Sequence, residues 1–210
     1  MAFLKTLGGV VCLLFALSLV SPVRAQCPTT ITPTTIPWTG PIPMTLNITP
    51  CWVDITYCTR VVSGVTQYYL CSITPHSLHA CDGVNWGTEI AAVGRTFQGG
   101  PPDRNCPPGL GPCPPNPLSP VYETYITGLC WQTNLVADPN GGPDFPVSTV
   151  CPDANLCEKT YSLCCDNLGH IATYLTNTTV VNNGCDISTN PDPGGIWPVG
   201  VCYGVDACSN

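Results

Sequence analysis

Cysteine constrains this chain more than any other residue: sixteen occur in 210 positions. What they can do depends on compartment, and the first residues settle it. Met1 to Lys5 carries one positive charge, Leu7 to Val20 is almost wholly apolar (LGGVVCLLFALSLV), and Ser21-Pro22 breaks the run ahead of Val23-Arg24-Ala25. That order of charged, apolar and small-residue regions makes a secretory signal, too short to span a bilayer comfortably. Residues 1–25 are read as a signal peptide cleaved after Ala25, giving a secreted, extracellular product with no stable membrane insertion. Cys12 leaves with the signal. The other fifteen are Cys27, Cys51, Cys58, Cys71, Cys81, Cys106, Cys113, Cys130, Cys151, Cys157, Cys164, Cys165, Cys185, Cys202 and Cys208. In an oxidising compartment they read as a disulfide framework. Zinc is the alternative, but structural zinc sites favour close pairs such as Cys-x2-Cys. The commonest short spacings here have five or six intervening residues (Cys151/Cys157 and Cys202/Cys208; Cys51/Cys58, Cys106/Cys113 and Cys157/Cys164). No metal and no cofactor is expected.

Twenty-four prolines and twenty glycines explain the need for staples. Both residue types interrupt helices and central strands, and period-two alternation marks the apolar stretches that remain. The fold class expected is all-β or β-rich, disulfide-stapled, in tandem β-hairpin units with Gly/Pro-rich loops and little helix. Residues 26–50 form a Thr/Pro-rich extended segment, either a spacer or an irregular edge strand. Residues 51–105 are the first hairpin unit. Trp52, Asp54 and Thr56 alternate with Val53, Ile55 and Tyr57, Ser63-Gly64 supplies a turn, and Val65 to Ile73 returns. Residues 106–150 are a Pro/Gly-rich middle unit. Residues 151–210 hold the second hairpin, with Lys159 to Leu163, a turn at Asn167-Leu168-Gly169, and His170 to Leu175.

The two hairpins echo each other. Both open with Cys-x6-Cys (CWVDITYC and CEKTYSLC) and carry a Tyr-Leu pair and a later Cys-Asp, offset by 104 to 106 residues. A second echo, Asp138-Pro139-Asn140-Gly141-Gly142 and Asp192-Pro193-Gly194-Gly195, suggests repeat units of about 50 residues. Geometry limits the pairing. Seven steps of straight strand separate Cys51 from Cys58 by roughly 23 Å, whereas a disulfide needs Cα atoms within about 7 Å. Each must find a partner elsewhere. Cys58 and Cys71 face each other if the turn has four residues, Ser63 to Thr66, while Thr176 stands near the place of Cys71 in the second hairpin. Adjacent Cys164 and Cys165 point to opposite faces and take different partners. Fifteen cysteines leave at least one thiol over in a monomer. Covalent self-association through this odd cysteine is expected, with Cys208 as the bridge because a chain end is usually exposed; the rival is an internal Cys202–Cys208 loop.

The string Cys51-Trp-Val-Asp-Ile-Thr-Tyr-Cys58 with Tyr68-Tyr69-Leu-Cys-Ser72 resembles hairpins of cysteine-rich secreted bacterial proteins, and Cys157-Glu-Lys-Thr-Tyr-Ser-Leu-Cys164 is similar to another segment of such chains. The resemblance implies export and carries no activity and no functional residues. On a bacterial source the sequons at Asn47 and Asn177 are accidents of sequence; on a eukaryotic one they are glycan acceptors.

Function classes can be narrowed. Losing Lys5 and Arg24 with the signal leaves four cations (Arg60, Arg95, Arg104, Lys159) against thirteen acids, a formal charge of −9. Such a chain has no stripe to neutralise phosphates, so no nucleic-acid partner is expected. It holds no Gly-x-Ser-x-Gly elbow, His-Glu-x-x-His helix or phosphate loop. His76 and His79 on an extended segment face opposite ways, and the Asp138 to Asp144 loop lacks a complete calcium set. No catalytic residue is assigned, although a Ser/His/Asp triad assembles only in space. Tryptophans remain as candidate ligand contacts, because an exposed indole can stack on a sugar ring: Trp52, Trp86, Trp131 and Trp197 are the residues named. The leading expectation is a secreted structural or surface-interaction protein without enzymatic activity. The alternatives are a carbohydrate- or ligand-binding module, with a glycan or surface partner, and a cryptic extracellular hydrolase.

Overall fold

The computed structural model describes residues 26–29, 31–32, 34–77, 81, 85–100, 104–113, 121–137, 144–151, 155–181, 202–205 and 208. The expected signal peptide (residues 1–25), His79, Asp138, Cys185, both Asp-Pro-Gly-Gly echoes and Trp197 lie outside these. The described chain is β-rich. Its strands are β1 (Thr39–Ile48), β2 (Cys51–Val62), β3 (Val65–Pro75), β4 (Val121–Gly128), β5 (Cys130–Val136), β6 (Phe145–Val150), β7 (Leu156–Cys165), β8 (Ile171–Val181) and β9 (Cys202–Gly204), with one helix, α1 (Trp86–Gln98), between β3 and β4.

All nine strands share one sheet, and β3 is its junction. One edge of β3 pairs antiparallel with β2 along most of its length, and β1 pairs with the far side of β2. The 26–50 segment is thus an edge strand over Thr39–Ile48. The other edge of β3 changes partner midway: Thr66 to Tyr69 run parallel to β4, while Ser72 and Ile73 run antiparallel to β6. From there β4 continues to β7 and β8, and β6 to β5 and β9. The two arms meet where Gly128 ends β4; a Cβ there would lie 2.9 Å from Cγ2 of Val150, so only glycine fits. Strands from all three stretches of residues 51–210 therefore hydrogen-bond in one sheet.

The β2–β3 turn sits at Ser63-Gly64, but it is shorter than the four residues that would set Cys58 against Cys71. Val62 pairs with Val65, and Ser63 and Gly64 both adopt positive φ, 51° and 81°. Two positive φ values in a two-residue connection match the twist of the flanking strands. Cys58 pairs with Tyr69 instead, and Cys71, on the same face, lies at a β-bulge: pairing steps from Thr56↔Ser72 to Tyr57↔Leu70, leaving Cys71 as the extra residue. The β7–β8 ladder has the same irregularity. It steps from Thr160↔Asn177 to Tyr161↔Leu175, and Thr176 is left over in the place Cys71 holds. Each bulge is followed by the same Tyr–Leu pair.

Strand alternation divides the apolar residues between two faces. Val53, Ile55, Leu70, Ile73 and Tyr125 pack under the helix with Ile90, Val93 and Phe97. Cys58, Tyr69, Cys71, Ile126 and Leu156 form a second cluster, covered by Cys27, Ile31 and Trp38 of the N-terminal segment. The helix is the element that the sequence reading lacked. It falls in the proline-free run between Pro75 and Pro101. Asn85 caps it, accepting from the Thr88 amide at 3.1 Å, and Trp86, Ile90, Val93 and Phe97 form one buried stripe. Buried polar side chains clamp both ends: Trp86 Nε1 donates to Ser148 Oγ (2.8 Å), and Gln98 Nε2 donates to Thr127 Oγ1 (2.8 Å).

One helical residue is buried against its chemistry. Glu89 is 5% exposed, and its Oε1 has no hydrogen-bond partner. Burial disfavours the charged form, so its pKa is raised. A carboxyl whose folded pKa is raised loses stability as pH climbs from the unfolded value, about 4.3, through the folded one. Glu89→Gln should therefore raise the melting temperature at neutral pH, with the gain vanishing below about pH 4; thermal melts of both proteins across pH check it.

Candidate functional site

Three arrangements could carry function: the sulfur framework, a buried carboxylate cluster and an exposed sheet edge. Six disulfides join described cysteines: Cys27–Cys58, Cys51–Cys81, Cys106–Cys165, Cys113–Cys164, Cys151–Cys202 and Cys157–Cys208. Cys130 is disulfide-bonded as well. Cys51 and Cys58 each find a partner outside their own octet, and Cys164 and Cys165 take different ones. The assignment of the odd thiol to Cys208 is overturned. Cys208 bonds Cys157 and Cys202 bonds Cys151, so neither an exposed terminal thiol nor a Cys202–Cys208 loop forms. The chain end is held because β9 pairs with β5 and the Val205 amide donates to Leu129 O at 2.8 Å. Among the described residues the free thiol is Cys71, which is buried. Burial pushes it up to about 12, although a hydrogen bond at Cys58 works the other way.

The carboxylate cluster is centred on Glu123 of β4. Arg104 donates to it through both terminal nitrogens, at 2.9 Å each, Tyr125 Oη donates to Oε2 at 2.7 Å, and Tyr68 Oη donates to Oε1 at 3.2 Å. Tyr68 and Tyr125 stack with ring centroids 4.9 Å apart. Burial, then the neighbouring Glu123 charge, pushes the Tyr68 hydroxyl up to about 12 and raises Tyr125 in the same direction. Both tyrosines are thus held as neutral donors. Four donors occupy the two carboxylate oxygens, which leaves Glu123 little capacity to act as a base. An open cleft of about 590 Å³ lies over this pair, walled by Pro107, Leu110, Val121, Leu163 and Ile171. On the other side of the aromatic cluster, a cavity of about 20 Å³ under Phe97 has room for about one water.

Sequence reasoning assigned neither Arg104 nor Glu123 to a site. A signal was present: in so acidic a chain each cation is scarce, and both Arg60 and Arg104 tie down irregular segments. Arg60 donates to Ile31 O (3.1 Å) and Thr32 O (2.9 Å) and lies over the Trp38 ring at 4.2 Å. His76 Nδ1 sits 3.0 Å from Asp54 on an exposed surface. Among the described residues no group of three or more His, Cys, Asp or Glu side chains is gathered as for a metal ion.

Of the named tryptophans Trp197 lies outside the described residues, and the other three are not brought to one surface. Trp131 is fully buried, with Nε1 donating to Gly128 O at 2.8 Å, and Trp86 is in the core beneath the helix. Neither can stack on a ligand without opening the fold. Trp52 is half exposed on β2.

The third arrangement is β8, which pairs only with β7 among the described strands. Residues 174–180 are exposed on both faces, including the apolar Tyr174, Leu175 and Val180. The strand (IATYLTNTTVV) carries no charge and no proline. Natural edge strands usually carry such features to prevent pairing. Among the described residues no helix is long and apolar enough to cross a membrane. Comparison with protein-family models, with curated proteins and with solved structures gives no match.

The Glu123 cluster fixes the 104–113 loop to the sheet, and its charges are mutually compensated. Glu123→Gln should destabilise the protein by about 3 kcal/mol, because it leaves the Arg104 guanidinium partly buried without its counter-charge. Denaturant titration measures the loss.

Proposed function

We propose that this chain is an exported, disulfide-stapled structural or surface-interaction protein without enzymatic activity, built from two related hairpin units. The observation that carries the reading is β8: eleven residues of edge strand, uncharged, proline-free and exposed along Tyr174 to Val180. Unpaired backbone groups on such an edge recruit another strand, with main-chain hydrogen bonds supplying affinity. The partner is a second copy. A chain with formal charge −7 repels its own kind over most of its surface, and β8 is a long stretch where two copies can approach without opposing carboxylates. The shared bulge and Tyr–Leu pair support the duplication: in the first hairpin the outer edge of β3 is covered by β4 and β6, whereas its counterpart β8 is itself the edge. A carbohydrate- or ligand-binding module is the second reading. It is favoured by the apolar-walled cleft over Arg104 and Glu123 rather than by the tryptophans.

Sedimentation velocity over a concentration series tests the first reading. The protein should pass from monomer to dimer, and Tyr174→Lys with Val180→Lys should hold it as monomer with an unchanged melting temperature, since both side chains are exposed. A wild-type protein that stays monomeric throughout, or a double variant that still dimerises, contradicts the assignment.

A further inference from the structure

The buried odd thiol lies against a disulfide. Cys71 Sγ is 3.1 Å from Cys58 Sγ, and Cys58 is bonded to Cys27. This contact is made by the backbone. Alternation puts Cys71 on the face of Tyr69, beside Cys58, and the bulge at Cys71 shifts the residues beyond it so that Ile73 lies on the helix side. The third sulfur is near the start of the described chain. Cys27 is half-buried and follows an exposed Gln26, and the segment beyond it is held separately by Arg60 at Ile31 and Thr32. Losing the Cys27–Cys58 bond would free the residues around Cys27 and leave the rest of the cover in place.

We propose that Cys71, Cys58 and Cys27 form a thiol–disulfide relay that moves the odd thiol from the core to the N-terminal segment and makes Cys27 a modification site for disulfide-bearing partners. The Cys71 thiolate attacks Cys58 Sγ, the Cys58–Cys71 bond forms, the Cys27–Cys58 bond breaks, and Cys27 leaves as the thiolate that takes up the proton Cys71 gave. One thiol and one disulfide are present before and after, so no oxidant is consumed. The freed Cys27 can then attack a partner disulfide, forming a mixed disulfide and releasing the partner's thiol. The raised thiol pKa keeps the Cys71 thiolate scarce and makes the first step slow.

The experiment is maleimide trapping of the folded, oxidised protein, followed by digestion without reduction and mass spectrometry. Label should accumulate with time on Cys27, together with a Cys58–Cys71 linked peptide, and Cys71→Ser should abolish both. Cys27→Ser gives a second readout that does not depend on rate: Cys58 and Cys71 should bond each other, leaving neither as a thiol. The relay is overturned if label reaches Cys71 alone or only after unfolding, with Cys27–Cys58 intact. It is equally overturned if Cys27→Ser leaves Cys58 and Cys71 both reduced. These substitutions leave β8 untouched, so the outcome is separable from that of the strand-edge test.

Discussion

Covalent cross-links reach where the hydrogen-bond ladders stop, and the rest of this structure depends on them. A sheet holds its strands together, but the loop 104–113 contributes only isolated bridges, Asn105↔His170 and Pro112↔Cys165. Cys106 and Cys113 fasten that loop to Cys165 and Cys164, adjacent residues whose side chains leave opposite faces of β7. Cys157–Cys208 and Cys151–Cys202 fasten the end of the chain in the same way, and Cys27–Cys58 fastens its N-terminal cover. Each native bridge in a small exported domain typically adds about 2–4 kcal/mol, largely by restricting the unfolded chain.

Given those anchors, scarce charges finish the work. Arg60 and Arg104 each hold a segment with no regular structure of its own. Arg60 grips backbone carbonyls under the Trp38 ring, and Arg104 grips Glu123 beneath the cleft. The helix is secured by neutral polar groups instead, Trp86 at its start and Gln98 at its end. Buried polar atoms are thus spent on fixing the helix and the irregular pieces to the sheet.

Much of this was legible in the sequence, for local reasons. Alternation over residues 51–73 and the Ser63-Gly64 turn gave the first hairpin, and strand length alone excluded a Cys51–Cys58 bridge. Thr176 was placed near the position that Cys71 holds in the first hairpin, and the two bulges bear that out. The helix was missed because proline density was averaged over the chain, while Asn85 and the Trp86, Ile90, Val93, Phe97 stripe sat in a proline-free window. The partner switch of β3 and the Arg104–Glu123 pair join residues far apart in sequence, so no local pattern records them. Cys208 was misassigned because proximity to a terminus was read as exposure, when pairing of β9 with β5 holds that end in place.

Disulfide connectivity tests the central claim most directly. Partial proteolysis of the oxidised protein without reduction, followed by tandem mass spectrometry, resolves which cysteines of residues 106–165 are joined. The account predicts Cys113–Cys164 and Cys106–Cys165, so that loop and strand come away as one linked fragment. Local bridges within a Cys-x6-Cys octet, Cys106–Cys113 or Cys157–Cys164, would contradict it, because the loop and the chain end would then lack their anchors.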